Sequence, residues 1–193
     1  MSLAQYLAEK KEMVDVALNA YLDESPVYPA TILKAMRYSL DAGGKRIRPV
    51  LMLAAAEAVA GPSEALTKLV LPFACAMEMI HTFSLIHDDL PCMDDDDLRR
   101  GIPTNHKVFG DAIAVLAGDG LLAEAFRVMA AHQATASASL RMEVLCDIAT
   151  ATGARGMVGG QVIDLESENK RITVNELERL HQLKTGALLV TSV

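Results

Sequence analysis

Three features of the 193-residue sequence predict an all-α fold, a single-domain antiparallel helical bundle around a central apolar cavity. Apolar residues recur with helical period along nearly every segment, and no stretch alternates as a strand would. Hydrophobic residues make up 51% of the chain, yet aromatics are only 4% and tryptophan is absent. Ala, Leu, Val and Met must then fill the interior, a palette that suits helix-on-helix packing. The third feature is punctuation: Gly, Pro and capping residues cut the chain at helix-length intervals. No repeat or low-complexity tract marks an internal boundary, so residues 1–193 read as one domain.

Residues 3–22 form the first predicted helix, with Leu7, Val14, Leu18 and Leu22 on one side. Pro26 and Pro29 punctuate; Pro29 starts a second helix to about Ala42, and Gly43-Gly44 ends it. Pro49 opens a third, because proline suits the first helical turn, and Gly61-Pro62 stops it. Ser63 caps the fourth, in which residues 66–89 are apolar nearly all round, as in a central helix. Residues 90–110 read as a polar loop with His106-Lys107 solvated. Helix resumes over 111–131, 137–151 and 155–166, and Thr173 with Glu176 makes a capping box for the last helix. Gly153, Gly156, Gly159 and Gly160 permit two helices to approach closely, and Met77 and Met79 are core residues. The last residues, 186–193, are apolar and uncapped in mid-helix, so the sequence reads as cut short.

Composition excludes several classes. A net charge of −7 argues against a nucleic-acid partner. Cys75, Cys92 and Cys146 are odd in number and form no C-x-x-C, as expected of reduced cytosolic thiols. No uninterrupted apolar run is long enough to span a membrane, and the N-terminus has no signal-peptide block. The expected location is the cytoplasm, without stable membrane insertion.

The most informative stretch is 87–101, where six aspartates face two arginines. Asp88 and Asp89 close a helix whose C-terminus carries partial negative charge, a placement that costs stability unless a cation offsets it. Oxygen-only donors point to a hard divalent ion, Mg²⁺ first. An EF-hand is disfavoured because the acidic residues do not alternate and the Gly and Glu positions are wrong. Helical spacing puts His81 and Asp88 two turns apart on one face, with Ser84 and Leu85 between them. Pro91 then breaks the helix, so the loop can fold Asp94 back toward Asp88.

A second cluster is Gly43-Gly44-Lys45-Arg46-Ile47-Arg48-Pro49: flexible backbone, three cations and a helix start, a combination that suits a phosphate. Taken alone it reads sooner as a solvated basic turn, and it lacks the spacing of a P-loop. Arg99-Arg100 and Lys184-Thr185 add two further cationic groups. An acidic metal site ringed by three cationic groups suggests two phosphate-bearing ligands, one of them bridged by metal.

Together these residues resemble the polyprenyl diphosphate synthase family, the short-chain trans-prenyltransferases, and among them bacterial farnesyl diphosphate synthases. Gly-Gly-Lys-x-x-Arg-Pro at 43–49, Asp-Asp-x-x-x-x-Asp at 88–94, Arg99-Arg100-Gly101 and Lys184-Thr185 carry the resemblance, which covers essentially the whole chain. It implies an isoprenoid-synthase fold and a homodimer that condenses isopentenyl diphosphate with an allylic diphosphate, dimethylallyl or geranyl. Asp88 and Asp94 would hold Mg²⁺ on the allylic diphosphate, supported by Asp89 and contacted by Arg99, Lys184 and Thr185. Lys45, Arg48, His81 and Arg100 would bind the diphosphate of isopentenyl diphosphate. Gln161 and Asp164, three residues apart on one helix face, either line the allylic side or pack helices. Phe83, five residues before Asp88, would floor the pocket and set a farnesyl product; its alternative role is core packing. The loop residues Pro91-Cys92-Met93 and the run 99–110 also look like geranylgeranyl diphosphate synthases.

The family's second aspartate-rich motif is not found, so the 193-residue chain is expected to bind its full metal set poorly and to be inactive alone. Two other functions compete. A terpene cyclase shares the metal chemistry but needs no second diphosphate pocket, which Lys45, Arg48 and His81 provide. A non-catalytic subunit of a heteromeric synthase fits the missing motif but not the complete first one.

Overall fold

The structure, a computed structural model, describes residues 2–23, 29–132 and 137–193. Pro26 lies outside the described residues. The first four helices are α1 (Leu3–Asp23), α2 (Ala30–Asp41), α3 (Ile47–Ala60) and α4 (Glu64–Asp88). Helix α4 is the centre. Ser63 caps it by accepting from the Leu66 amide at 3.2 Å, and every residue from Pro72 to Ile80 is buried. Pro72 removes one helical donor without ending the helix, because packing on all sides holds the backbone in place. By length and composition α4 could cross a membrane, but 67% of its apolar stretch is packed inside the bundle.

Helices α3 and α6 (Asp111–Ala131) flank α4 most extensively. Small residues on α6, Ala114, Ala117, Gly118 and Ala125, are all buried and let it lie close to its neighbours. Val14, Leu18 and Leu22 of α1 join the core, as do Met36 and Leu40 of α2. Met77 and Met79 are wholly buried. Cys75 is buried, whereas Cys92 and Cys146 are exposed; all three are free thiols.

The remaining helices are α7 (Ala138–Thr152), α8 (Met157–Ser167), α9 (Val174–His181) and α10 (Ala187–Thr191). The capping box at Thr173 and Glu176 is present. Gln182–Gly186 forms a single π-helical turn joining α9 to α10, which a helical period does not announce. Helix α10 runs to Thr191, with Ser192 as its C-cap.

The segment 90–110 departs from the expected loop. Leu98–Arg99 (β1) pairs antiparallel with Ile102–Pro103 (β2), and Asn105–Phe109 forms a short helix, α5. His106 is buried rather than solvated, its Nδ1 lying 3.1 Å from Thr104 Oγ1. Lys107 is held by Asp97 at 2.6 Å. The third helix begins two residues before Pro49, with Arg46 as a left-handed N-cap at φ 51°.

Candidate active site

Helix α4 carries one wall of a cavity of about 500 Å³. His81, Ser84, Leu85 and Asp88 all line it, because residues at these spacings share a helix face. Phe83 and His87 line it too, and their rings meet edge to face at 4.9 Å. The opposite walls come from Met157 and Gln161 of α8, Val115 of α6, and Lys184 and Thr185 of the π turn.

At its mouth the acidic loop folds back as the break at Pro91 predicts. The Asp94 amide donates to the Asp88 carbonyl at 2.9 Å, and Asp95 adopts φ 51° to complete the turn. Gln161 donates to the Asp88 carboxylate. Lys184 Nζ lies 2.5 Å from Asp164 and 3.8 Å from Asp88. Burial, with Asp94 nearby, raises the pKa of Asp88 despite Lys184, Gln161 and Arg99. Burial also works against the charge on Lys184, but Asp164, Asp88 and Asp94 overcome it and hold its pKa above the usual lysine value. The structure thus brings Asp88, Asp94, Gln161, Asp164 and Lys184 together.

Gly160 makes this possible: a Cβ there would come within 2.2 Å of the Lys184 amide nitrogen. The π turn crosses α8 with backbone almost on backbone, and Lys184 reaches the acidic motif from there.

Asp89 points elsewhere. It is buried, and Arg99 Nε donates to it at 3.0 Å while Arg99 also reaches Asp96 at 3.3 Å. The turn between β1 and β2, with Arg100 at φ 56° and Gly101 at φ 82°, sends the two arginines apart. Arg99 joins Asp89, whereas Arg100 lies on Gly44, whose hypothetical Cβ would sit 2.7 Å from Arg100 Nη1. Gly44 also has φ 142°, so its backbone conformation favours glycine there.

Lys45, Arg48, His81 and Arg100 line a second cavity of about 400 Å³. The buried Arg48 Nε has no hydrogen-bond partner, a cost that a bound anion could offset. Burial lowers the pKa of Arg48 and of Arg100, with Glu78 pulling both back up. Burial, then Arg48, Arg100 and other cations, push His81 down to about 3, so its imidazole is neutral at pH 7. Arg48 and His81 line both cavities and so form the boundary between them.

Among the described residues no group of three His, Cys, Asp or Glu side chains could enclose a metal. Asp88 and the exposed Asp94 instead offer a sparse oxygen-only pair. That pair fits Mg²⁺, which keeps several waters and takes its other ligands from substrate phosphates.

Sequence reasoning missed Arg46, Glu78 and His87. Glu78 carried a usable signal: a carboxylate one turn before His81 inside an apolar helix is rarely buried without a partner.

The polyprenyl synthetase family profile matches residues 29–193. The chain is 52% identical over 188 residues to farnesyl diphosphate synthase of Bacillus subtilis (strain 168), covering 97% of this chain and 62% of that one. It is 49% identical over 193 residues to geranylgeranyl diphosphate synthase of Cyanophora paradoxa, covering 100% and 62%. Among solved structures, an FPP/GFPP synthase from Zymomonas mobilis superposes with a TM-score of 0.90 at 41% identity, over 98% of this chain and 68% of that one. A geranyltransferase from Legionella pneumophila gives 0.92 at 36%, over 98% and 66%. The chain therefore spans a little under two thirds of the length of the first relatives, 62% and 64%.

Proposed function

The chain belongs to the polyprenyl synthetase family, and from that premise we propose an Mg²⁺-dependent prenyltransferase that condenses isopentenyl diphosphate with dimethylallyl or geranyl diphosphate to give farnesyl diphosphate. One observation carries this reading: Arg48 and His81 border both the cationic pocket and the apolar cavity. A short isoprenoid diphosphate can anchor its charged end on one side of that boundary and present its alkene on the other. A one-substrate terpene cyclase would not need the second pocket.

The allylic substrate would lie in the larger cavity with its diphosphate at Asp88, Asp94, Arg99, Lys184 and Thr185. Mg²⁺ bound by Asp88 and Asp94 would supply charge that neutralises the departing diphosphate. Lys184 and Arg99 strengthen their hold as the allylic C–O bond breaks and negative charge grows on the leaving oxygen. Apolar walls at Phe83, Val115 and Met157 exclude water from the allylic cation. The isopentenyl alkene, held through Lys45, Arg48, His81 and Arg100, attacks that cation, and a proton leaves the new chain. Neutral His81 contributes a hydrogen bond and no charge. Phe83, only 8% exposed at the cavity wall, limits the product to farnesyl length. A cytoplasmic homodimer completes the reading, with Leu116 on α6 as an exposed apolar residue for a second copy.

The test combines binding and product analysis. The 193-residue chain should bind isopentenyl diphosphate, and geranyl diphosphate when Mg²⁺ is present, and a chain of the relatives' full length should yield farnesyl diphosphate from the pair. Geranylgeranyl diphosphate as main product would reject the assigned length. Binding of both without turnover, even by a chain of the relatives' full length, would make it a non-catalytic subunit. Binding of neither would overturn the reading.

A further inference from the structure

We propose that Arg46 is a positioning residue for the isopentenyl diphosphate pocket: it never touches the ligand, but it fixes the loop that presents Lys45 and Arg48. The proposal rests on the reading of that pocket as a diphosphate site. Arg46 belongs to the pocket lining between Lys45 and Arg48, yet it is only 4% exposed and its guanidinium is engaged by the protein. Its guanidinium reaches three helices. Nε donates to Asp15 of α1 at 2.7 Å, Nη1 to Glu78 of α4 at 2.9 Å, and Nη2 to the Leu40 carbonyl of α2 at 2.7 Å. Each of the three guanidinium nitrogens thus has a protein partner, in contrast to the buried Arg48 Nε, which has none.

The anchoring has a structural consequence. Residues 43, 44 and 46 all have positive φ, at 82°, 142° and 51°. Such a loop has few contacts of its own to hold it, and a three-way side-chain clamp in its middle removes that freedom. Lys45 is exposed at the pocket's edge and Arg48 is half-buried in its wall.

The clamp also governs charge. Glu78 lines the pocket and attracts Arg48 and Arg100 as well as Arg46. While Arg46 holds it, Glu78 offsets repulsion among the crowded guanidiniums without occupying them. Freed from Arg46, a buried unpaired carboxylate would turn to Arg48 or Arg100 and compete with the incoming diphosphate. Arg46 thus both shapes the loop and keeps the pocket's own acid out of the ligand's place.

Arg46→Met keeps the aliphatic bulk and removes the fork. Titration of the folded protein with isopentenyl diphosphate should show at least tenfold weaker binding, while geranyl diphosphate binding with Mg²⁺ changes less than twofold. Arg46→Lys should stay close to Arg46→Met, because one ammonium cannot hold three partners. Adding Glu78→Gln to Arg46→Met should recover part of the affinity by removing the competing charge. A general loss of structure would weaken both ligands together and would count against the proposal. If Arg46→Met does not fold, Asp15→Asn, outside the pocket, should still weaken isopentenyl diphosphate selectively, by about threefold. Normal binding by folded Arg46→Met, or by Asp15→Asn in its place, overturns the clamp and leaves the pocket assignment standing. No isopentenyl diphosphate binding by the unaltered protein removes the pocket assignment and the clamp with it.

Discussion

The cationic and acidic halves of the site are held together in opposite ways. On the cationic side one guanidinium is fixed by three other helices: Arg46 is clamped by Asp15, Glu78 and the Leu40 carbonyl, whereas Arg48 Nε has no partner. On the acidic side the site neutralises itself: Arg99 sits on Asp89 and Asp96, and Lys184 on Asp164. The first half is ready for an anion. The second must exchange internal ion pairs for ligand contacts, which lowers net affinity there but lets cations and carboxylates follow charge as it develops. A binding half built rigidly and a reacting half built from exchangeable pairs is the division of labour this comparison teaches.

The largest expected effect separates the halves cleanly. Asp88→Asn removes a carboxylate from the acidic side, and turnover of geranyl with isopentenyl diphosphate should fall on the order of 10²–10³-fold, as when one transition-state contact is lost. Mg²⁺-dependent binding of geranyl diphosphate should fall with it. Isopentenyl diphosphate binding should not change, and a parallel loss there would show that the halves are not independent.

Phe83→Ala opens the cavity wall between the halves. Products longer than farnesyl should appear in chromatography of the reaction mixture, and unfolding should become easier by about 3 kcal/mol, the usual cost of emptying a buried phenylalanine site. The His87 ring would lose its edge-to-face neighbour. Unchanged product length with lowered stability would reduce Phe83 to packing.

Gly160→Ala tests how the acidic half receives Lys184. A Cβ 2.2 Å from the Lys184 amide nitrogen has no room, and the obstacle is backbone rather than a movable side-chain tip. The π turn must shift, at a cost of about 1–3 kcal/mol. Geranyl diphosphate binding should weaken, whereas isopentenyl diphosphate binding should hold. Calorimetry of both ligands distinguishes this from general destabilisation.

Much of this architecture was legible from residue order alone, for physical reasons. Helices α1, α4 and α6 are long, and their apolar pattern outweighs local noise; Ser63 and the Thr173–Glu176 pair mark helix starts by chemistry that acts within four residues. The grouping of Asp88, Asp94 and Lys184 followed from motif and helix geometry. What stayed hidden depends on tertiary context. Two-residue strands and the short α5 carry too few residues for a period to emerge. Arg46 has the same letter as Arg48, and only folding turns one inward to three partners and leaves the other with an unused donor. Asp89 looks like Asp88, yet successive positions at a helix end face different ways, so one meets Gln161 and the other Arg99. The π turn at Lys184 is not announced by the helical period, and it lies where its backbone passes close to Gly160.

The smallest effect probes the electrostatics of the rigid half. His81 has a pKa of about 3 in the folded protein against an ordinary 6.5. Above pH 6.5 the imidazole is neutral in both folded and unfolded chains, so it contributes no pH dependence there. Between pH 6.5 and 3 the unfolded chain takes up a proton that the folded one refuses, and stability falls as pH falls. At pH 5 the loss amounts to about 2 kcal/mol. Denaturant titrations at pH 7.5 and pH 5 should therefore show a larger acid-induced loss for the unaltered protein than for His81→Gln, which has no such proton to gain. The cause of the depressed value supplies a second arm. Desolvation is the leading contribution and the surrounding arginines add to it, so an anion bound among Arg48 and Arg100 should offset the arginines but not the burial. Saturating inorganic pyrophosphate should then shrink the acid sensitivity without abolishing it. An acid response identical with and without pyrophosphate would mean that the anion does not sit beside His81, and the boundary shared by the two cavities would lose its role in bringing the substrates together.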